Sequence, residues 1–366
     1  MKYNKGEWSE AYAFVKLIGD GKVYGSDENL NKNSEKTYPI LKVFKDEIER
    51  YYANNPEYSV VDIIDFEGNI LNSMDSKSFI DIANKTLSII KENKGRSFEI
   101  PEMESFLNKL GIYSFKGSSK KKEDIKMEIQ DLIIDRSDIF TFSIKSELGS
   151  KATLLNASKS TNFTFKIEGI SKEDMERLNN INKEVNKKWL KTKFNEIFNN
   201  FKLGNYSISL VEDKNNTFYN NLKLIDSNLP KLLSYILFYY YSHETTSNIS
   251  DLTKKLIKYN PLNLNKEEAK LFYKKKISEF IESITFGMMP NTKWNGIYEI
   301  SGGLLTVKKN GEILCHHLFY DNESLKSYLF NNTKLETPST SRHEYGQICE
   351  ENNEFFFKLN LQIRLK

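Results

Sequence analysis

A predicted β-hairpin in the first half of the chain carries the residues best suited to chemistry. Asp124 opens the stretch DIKMEIQ, in which apolar and polar residues alternate, and this period of two predicts a half-buried strand. A turn near residues 135–138 leads to a second alternating stretch, IFTFSIKSELG. Its polar face carries Ser143, Lys145 and Glu147, because successive side chains of a strand point to opposite faces. The two strands should pair as an antiparallel hairpin.

The register of this hairpin decides which polar residues meet. If the turn centres between about residues 134 and 137, antiparallel pairing places Asp124 opposite a position between about 145 and 149, near Lys145 and Glu147. Carboxylates beside a lysine suit metal-assisted hydrolysis of phosphodiester bonds. Carboxylate oxygens hold Mg²⁺, the metal lowers the pKa of a bound water, and the lysine orients or helps deprotonate that water. A solvated hairpin face carries the same residue types, so the spacing alone also allows a purely structural role.

Two other acidic residues near the hairpin compete with Asp124 for this role. Asp131 and Asp135 both lie close to the predicted turn. A residue that opens the strand can face across to Lys145, whereas a residue beside the turn pairs far from it. The pattern therefore favours Asp124.

The elements that must position the hairpin are helices and strands in the first 170 residues. Apolar residues at helical spacing predict a helix from about Trp8 to Ile18, ended by the glycines at 19 and 21, and another over 76–92. A short helix should follow Pro101, strands should form within 58–71 and 162–169, and ATLLNAS should form a short helix. This order of helix, strands, helix and strand predicts an α/β (α+β) layered core.

The second half of the chain predicts a subdomain of helices and β-hairpins. Apolar residues at spacings of three and four predict helices over 172–200, 230–242, 250–259 and 266–286. The tail from residue 295 is β-rich, with a hairpin turn at Asn310 and Gly311, then a short helix and a last strand. A chain of 366 residues accommodates two such subdomains.

Charge and cysteine content restrict the class of protein. The net charge of +3, from 53 basic and 50 acidic residues, excludes a polycation that coats nucleic acid by bulk charge. Cys315 and Cys349 are the two cysteines and do not form a disulfide scaffold, and Cys315, His316 and His317 are consecutive and are not expected to bind zinc. The N-terminus has no apolar signal region and the longest apolar run, 232–241, is shorter than a membrane span. We expect a cytoplasmic protein that does not enter membranes.

Long stretches of the chain resemble the HpaII-type restriction endonucleases. They are NKGEWSEAYAFVKL near the start, FSIKSELGSKATLLNASKSTNF in the middle, and TPSTSRHEYG with FFFKLNLQIR at the end, in the same order as in that family. The family is assigned to the PD-(D/E)XK nuclease superfamily. The resemblance therefore implies a PD-(D/E)XK catalytic core, a mixed sheet flanked by helices, in residues 1–170. Residues 171–366 would form a DNA-recognition subdomain.

The superfamily resemblance also implies roles for residues of the hairpin. The first Asp of the motif starts a strand, which fits Asp124, and the motif's Lys fits Lys145 in FSIKS. Two residues before the Lys, the superfamily usually has Asp or Glu, whereas this chain has Ser143, whose hydroxyl would hydrogen-bond a metal-bound water. The main-chain carbonyl of Ile144 is a further metal ligand that the resemblance implies.

The second metal-binding carboxylate must therefore come from another position. Glu147 is the first choice, because it shares the face of Lys145 one pleat further along. Glu10 is the second choice, because the superfamily often contributes an acidic residue from the helix that precedes the sheet. Glu128 is the third choice.

Contacts to DNA should combine phosphate-binding lysines with a few side chains that reach base edges. Lys120, Lys121 and Lys122 lead into the hairpin and would approach the phosphates of the scissile strand, although a solvated loop explains them equally well. In PSTSRHEYG, Arg342 lies beside His343, and an arginine that binds guanine O6 and N7 would suit a target with G·C pairs. A surface ion pair with a neighbouring glutamate, such as Glu344, is the alternative for this arginine.

The resemblance implies a Mg²⁺-dependent type II restriction endonuclease that cuts both strands of double-stranded DNA at a short palindrome, CCGG. Cutting a palindrome favours a symmetric homodimer or sequential nicking by a monomer. A cognate DNA methyltransferase would be the functional partner. Two alternatives stay open: a repair or junction nuclease of the same superfamily without sequence specificity, and a non-catalytic DNA-binding protein that kept the fold but lost the metal, which the serine at 143 would explain.

Overall fold

The computed structural model describes residues 1–115, 122–132, 135–181, 188–242 and 246–366. The helices of the described chain are α1 (Lys5–Asp20), α2 (Ser76–Glu92), α3 (Pro101–Lys109), α4 (Lys172–Asn179), α5 (Trp189–Lys202), α6 (Thr217–Ile225), α7 (Leu229–Ser242), α8 (Ile249–Tyr259), α9 (Lys266–Phe286), α10 (Asn322–Asn331) and α11 (Thr340–His343).

The strands alternate with these helices along the chain. They are β1 (Lys22–Ser26), β2 (Lys32–Lys45), β3 (Arg50–Asn55), β4 (Val60–Asp65), β5 (Ile70–Asp75), β6 (Ile125–Asp131), β7 (Arg136–Ser146), β8 (Thr153–Leu155), β9 (Asn162–Glu168), β10 (Ser207–Leu210), β11 (Gly303–Val307), β12 (Ile313–His317), β13 (Thr333–Leu335), β14 (Ile348–Glu351), β15 (Glu354–Asn360) and β16 (Ile363–Leu365). The predicted mixture of helices and sheets is confirmed.

The described chain packs as two compact units that interleave along the sequence. Unit 1 comprises residues 1–152 and 298–328, and unit 2 comprises residues 153–297 and 329–366. Unit 1 thus needs a segment that is distant in sequence to complete it. The predicted division of roles between residues 1–170 and 171–366 concerns function and stays a prediction.

The sheet of unit 1 closes on itself through six of its strands. β1, β12, β11, β7, β6 and β2 pair in this order, and β1 pairs with β2 as well, while β3, β4 and β5 extend the sheet beyond β2. The sheet is mixed, because β12 runs parallel to β1 and β11 runs parallel to β7, whereas the other pairs are antiparallel. The sequence predicted a mixed sheet but not this closure, which depends on pairs far apart in the chain.

Helix α1 packs with its apolar face into the core of unit 1. Asn4 caps its first turn in a capping box with Glu7, and Gly21, in the left-handed region at φ 59°, ends it. Trp8 is fully buried, as its spacing predicted, and donates its indole N–H to the Phe98 carbonyl at 2.9 Å. These caps and contacts fix the position of the helix against the sheet.

The hairpin predicted around Asp124 forms, but its predicted register is wrong. Ile125 lies opposite Phe142 and Asp131 opposite Arg136, so the pairing is centred earlier in the chain than predicted. The Asp124 amide donates to the Phe142 carbonyl at 2.9 Å. Asp124 therefore meets residues 142–144 instead of 145–149, because moving the centre of an antiparallel hairpin by one residue moves each pairing partner by two.

Unit 2 combines helices α4 to α9 and α11 with two small sheets. One sheet has the order β10-β9-β15-β14 and the other the order β13-β16-β8. The helix predicted for ATLLNAS is wrong, because Thr153–Leu155 form β8 and pair with β16 from the C-terminal end of the chain. The single helix predicted over 172–200 is wrong as well: the described residues form α4 and α5 as separate helices. Within the described chain, no helix combines the length and the apolar character needed to cross a bilayer.

His317 is a buried ionisable side chain at the end of β12. Its Nδ1 accepts the amides of Phe319 at 3.2 Å and Tyr320 at 3.3 Å, and its ring contacts the ring of Phe140 at 4.8 Å between centroids. Burial lowers the pKa of His317 to about 4, although Asp131 and other carboxylates act in the opposite direction. A proton on Nδ1 would break both amide bonds, so the fold holds this histidine neutral.

We expect the free energy of unfolding to fall as the pH is lowered from about 6.5 to about 4. In this window an unfolded chain binds a proton on His317 that the folded chain does not bind, so protonation favours unfolding. Urea unfolding of the wild type and of His317→Gln at pH 7 and pH 4.5 measures this. The loss between the two pH values should be smaller in the variant by about 2 kcal/mol. Equal losses in both proteins would contradict the assignment.

Candidate active site

Asp124 lies at the mouth of β6 and is held by the neighbouring strand β7. Its Oδ2 accepts the main-chain N–H of Ile144 at 2.6 Å and the hydroxyl of Ser143 at 3.0 Å. The ammonium of Lys145 lies 3.7 Å from the same oxygen, and both charged side chains are about one-fifth exposed. The wrong register therefore does not separate these residues: Asp124, Ser143 and Lys145 come together as the sequence predicted.

Ser143 connects the aspartate to the lysine. Its side chain is fully buried, donates to the Asp124 carboxylate, and accepts the Lys145 ammonium at 2.7 Å from Nζ to Oγ. A serine supplies no carboxylate at this position. It instead fixes where the ammonium sits relative to the aspartate.

Helix α1 brings Glu10 to the same place. The hydroxyl of Ser146, at the end of β7, donates to the hydroxyl of Ser9 at 2.9 Å, which joins the first turns of the helix to the strand. The pKa of Glu10 is raised to about 8, mainly by burial and then by the Asp124 carboxylate, while Lys145 acts in the opposite direction. Two carboxylates that repel one another beside a lysine form a site that a cation would stabilise.

Glu147, the first choice for the second carboxylate, is directed elsewhere. β7 ends at Ser146, so the strand alternation that placed Glu147 beside Lys145 stops one residue too early. The Glu147 carboxylate accepts the amide of Lys309 at 3.3 Å, and its amide donates to the Val307 carbonyl at 2.9 Å. The expectation that Glu147 lies with Asp124 and Lys145 is therefore not met.

The other acidic candidates also have partners of their own. Glu128 pairs with Lys42 at 2.7 Å and accepts the Ser137 hydroxyl at 3.0 Å. Asp135 accepts the Gln130 amide group at 2.9 Å, and Asp131 is buried opposite Arg136 at the turn end of the hairpin. Both rival aspartates thus lie at the end of the hairpin opposite to Asp124.

The main chain of Ile144 is turned towards Asp124. Its N–H donates to the carboxylate, and the carbonyl of Phe142, two residues earlier, accepts the Asp124 amide. In an antiparallel ladder the N–H and C=O of one residue point to the same side of the strand. The Ile144 carbonyl therefore lies on the side of β7 that carries Asp124, as its predicted role requires.

Lys122 adds a second lysine to the site. Its amide donates to the Glu299 carboxylate at 3.1 Å. The pKa of Lys122 is lowered to about 8, mainly by burial and then by nearby Lys145, while Glu299 and Asp124 act in the opposite direction. Lys120 and Lys121, predicted with it, lie outside the described residues.

Glu299 is an acidic neighbour of the site that the sequence reasoning missed. It comes from the segment before β11, which reaches the hairpin because β11 runs parallel to β7. The carbonyl of Glu299 accepts the Thr141 hydroxyl at 3.1 Å, and the Gly302 amide donates to the Thr141 carbonyl at 2.8 Å. Nothing near residue 299 in the sequence indicates this proximity, since the parallel pairing joins segments about 160 residues apart.

Comparison with known proteins identifies the relationship of the chain. The model of the HpaII restriction endonuclease family matches residues 4–365. The chain is 40% identical to the type II restriction enzyme HpaII of Haemophilus parainfluenzae over 99% of this chain and 98% of that enzyme. The chain belongs to the HpaII restriction endonuclease family. No solved structure matches it.

Membership of the HpaII family confirms the predicted class of enzyme. The protein is a restriction endonuclease of type II, and DNA is the class of substrate on which such an enzyme acts. The roles of the individual site residues stay predictions.

The segment predicted to contact DNA bases forms a short turn in unit 2 of the HpaII-family chain. Arg342 and His343 lie in α11, which Ser339 caps through the Arg342 amide. Glu344, the proposed ion-pair partner of Arg342, pairs with Lys159 instead. The side chain of Arg342 is exposed and is not ion-paired within the described chain, so it is available to a ligand.

A buried lysine fixes the residues that follow this turn. Lys193 is fully buried and donates to the Gly346 carbonyl at 3.0 Å, to the Gln347 side chain at 2.9 Å and to the Asn179 side chain at 3.1 Å. Asn179 also accepts the Ile348 amide at 3.0 Å. Burial lowers the pKa of Lys193 to about 8, because its partners are neutral and do not offset the loss of water. The sequence did not single out this lysine.

We expect Ser143→Ala to lower kcat on DNA by about 10- to 100-fold, because Lys145 loses the acceptor that fixes its ammonium beside Asp124. KM should change little, since the variant removes no group that contacts DNA. Steady-state cleavage of a plasmid measures both constants. Ser137→Ala, which removes a hydroxyl from the same hairpin that bonds to Glu128, is the control. Equal rates for the two variants would contradict the role of Ser143.

We expect Lys193→Met to lower the free energy of unfolding by about 2 kcal/mol, because the variant leaves buried acceptors without their donor. Chemical denaturation followed by circular dichroism measures this change. Lys191→Met, on the same helix and over the Tyr240 ring, is the matched control and should change stability by less than about 0.5 kcal/mol. A loss of the same size in both variants would show that Lys193 is not the anchor.

Proposed function

We propose that the protein hydrolyses both strands of duplex DNA at CCGG in a Mg²⁺-dependent reaction. Asp124, Ser143 and Lys145 in hydrogen-bond and ion-pair contact, with Glu10 brought to them by α1, are the observation that carries the proposal. The proposed target follows from the family, whose resemblance implies CCGG. The proposed fold of unit 1 is a PD-(D/E)XK core with two departures, the serine at 143 and the closure of the sheet.

The donor set at the site fits Mg²⁺. Asp124, Glu10 and the main-chain carbonyl of Ile144 offer hard oxygen ligands, and Mg²⁺ is commonly held by one or two carboxylates with water completing its shell. Within the described residues no cluster of three or more His, Cys, Asp or Glu side chains is placed to hold a metal. When bound, Mg²⁺ would lower the pKa of a coordinated water and stabilise the negative charge that builds on the phosphate.

The residues of the chain would have separate roles in the reaction. Lys145, fixed by Ser143, would orient the attacking water. The hydrogen bond from the Ile144 amide would hold the Asp124 carboxylate in place. Lys122 would approach a phosphate oxygen next to the scissile bond, where a positive charge favours the transition state. The bond from phosphorus to one ester oxygen breaks as the water oxygen bonds to phosphorus, and the departing oxygen takes up a proton.

Recognition of the target would depend on the turn that contains Arg342. Its guanidinium would bind O6 and N7 of a guanine, while His343 and neighbouring hydroxyls would contact the DNA backbone. A palindromic target calls for two such turns in a homodimer, or for two successive binding events by a monomer. A cognate DNA methyltransferase that protects host DNA, and a cytoplasmic location, belong to the same proposal.

Digestion of an unmethylated supercoiled plasmid tests the reaction directly. The wild type should give discrete fragments that end at CCGG with Mg²⁺, and none with EDTA. Lys145→Ala and Glu10→Gln should each lower the rate at least 100-fold, because the first removes the group that orients the water and the second removes a ligand charge. Lys126→Ala, which removes a lysine of the same hairpin that pairs with Asp46, is the control and should keep most of the activity.

The products separate the alternatives. Fragments with other end sequences would keep the mechanism and reject CCGG. Binding to DNA without cleavage by the wild type would mean a protein that lost the metal site, as the serine at 143 would explain. Accumulation of nicked circles before linear DNA would favour a monomer that cuts the strands in turn, whereas direct conversion to linear DNA would favour a dimer.

A further inference from the structure

Unit 2 contains an open cavity walled by aromatic rings. The cavity has a volume of about 360 Å³ and lies between α5, α7, α8 and β10. The aromatic rings that line it include those of Phe198, Phe201, Tyr235, Phe238, Tyr239 and Tyr259. Its volume falls near the lower end of the range of small-molecule sites, about 300–1,000 Å³. The rings therefore offer apolar faces to a planar molecule of modest size.

These rings pack against one another at the edge of the cavity without closing it. The ring centroids of Tyr235 and Tyr259 are 5.0 Å apart, and those of Phe198 and Tyr239 are 5.6 Å apart. Tyr259 is nonetheless 39% exposed, although a tyrosine ring that only filled a core would be covered. Asn228, on the wall of the cavity, adds a polar group that can form hydrogen bonds with a heterocycle.

A second pocket adjoins this cavity and is basic. It has a volume of about 330 Å³, shares Tyr239 and Tyr259 with the aromatic cavity, and is lined by Lys202, Lys255 and Lys258. Its lining within the described residues includes no Asp or Glu. None of the three ammonium groups is ion-paired in the part of the chain that the structure describes.

The two pockets are joined by contacts as well as by shared residues. The Lys202 ammonium lies over the Phe198 ring, 4.7 Å from its centroid, so this basic group borders the aromatic wall. Three exposed lysines without carboxylate partners make this pocket positively charged, and a positive pocket attracts an anion. The complementary ligand therefore has a planar aromatic part and an anionic part next to it.

We propose that the two pockets form one nucleotide site, in which an unstacked nucleobase enters the aromatic cavity and its phosphate binds Lys202, Lys255 and Lys258. A base gains contact with the ring faces when it leaves a stack, and stacking on aromatic side chains is tolerant of base identity. The ligand is either a free nucleotide or a nucleotide within a DNA strand. The second source rests on the proposed function, since DNA is then the substrate.

Calorimetric titration of the full-length protein in EDTA tests the site with three probes. They are deoxycytidine monophosphate, deoxycytidine and a single-stranded hexamer of deoxycytidine. The monophosphate should bind at least 10-fold more tightly than the nucleoside, because only the monophosphate can reach the lysines. If a DNA strand is the source, the hexamer should bind at least 10-fold more tightly than the monophosphate; comparable affinities would identify free nucleotide as the source.

Variants locate the binding. Tyr259→Ala and the double variant Lys255→Ala with Lys258→Ala should each weaken binding of the tighter probe at least 10-fold. Lys254→Ala is the matched control, because Lys254 lies on the same helix but pairs with Asp251 outside the pocket. The double variant changes exposed side chains, so it serves if Tyr259→Ala unfolds.

Two outcomes would overturn the site. One is that the double variant weakens binding of the tighter probe no more than Lys254→Ala does. The other is equal affinity of the protein for deoxycytidine and its monophosphate. Plasmid cleavage in Mg²⁺, measured on the same preparations, separates this proposal from the proposed function. Cleavage with no effect of the variants on binding would reject the nucleotide site alone, whereas nucleotide binding without cleavage would reject the proposed reaction alone.

Discussion

The hydrogen bond from the Ile144 amide to the Asp124 carboxylate is the interaction on which the candidate active site depends. The donor belongs to an interior strand, so its direction is fixed by the pairing of β7 with β6 and β11. The carboxylate is therefore as rigid as the sheet. Ser143 and Lys145 follow from the same strand geometry, since alternation puts both on one face of β7. A site built on strands in this way is better fixed than one built on loops.

The second constraint is that α1 must dock at the end of β7. The bond between the Ser9 and Ser146 hydroxyls, the capped first turn and the buried Trp8 together set the depth of the helix. Glu10 follows Ser9 on this helix and lies near enough to Asp124 for the two carboxylates to interact, and burial is the main cause that raises the pKa of Glu10 to about 8. Glu10 is therefore the predicted replacement for the carboxylate that Ser143 cannot supply.

Local patterns predicted the elements well and the long-range pairing poorly. Helices α2 and α9 were predicted with the bounds that the structure has, because their apolar residues repeat at helical spacing over four or more turns. ATLLNAS was predicted as a helix, although its short apolar run fits the period of a helix and that of a strand equally well. Pairing with β16 makes part of it a strand. Closure of the sheet and the position of Glu299 depend on β11 and β12, about 160 residues from the hairpin.

In the site, too, contacts within one hairpin were predictable from the sequence, whereas features that depend on distant segments were not. Asp124 and Lys145 were found because the residues that hold them lie within one hairpin, so an error of a few residues in register left them together. Glu147 was ranked above Glu10 because the strand was assumed to continue past Ser146, where it ends. The position of a strand end depends on its neighbours in the sheet, and these were not predictable from the alternation of residues.

Closure of the sheet also limits how this molecule can associate with copies of itself. β6 and β7 each have a paired neighbour on both sides, so the hairpin that carries the site presents no free backbone to another chain. Among the strands described in that sheet, β5 alone lacks a second neighbour, and its Ile70 and Leu71 are largely exposed. Aggregation by strand addition would therefore begin at β5, and the geometry around Asp124 would survive it.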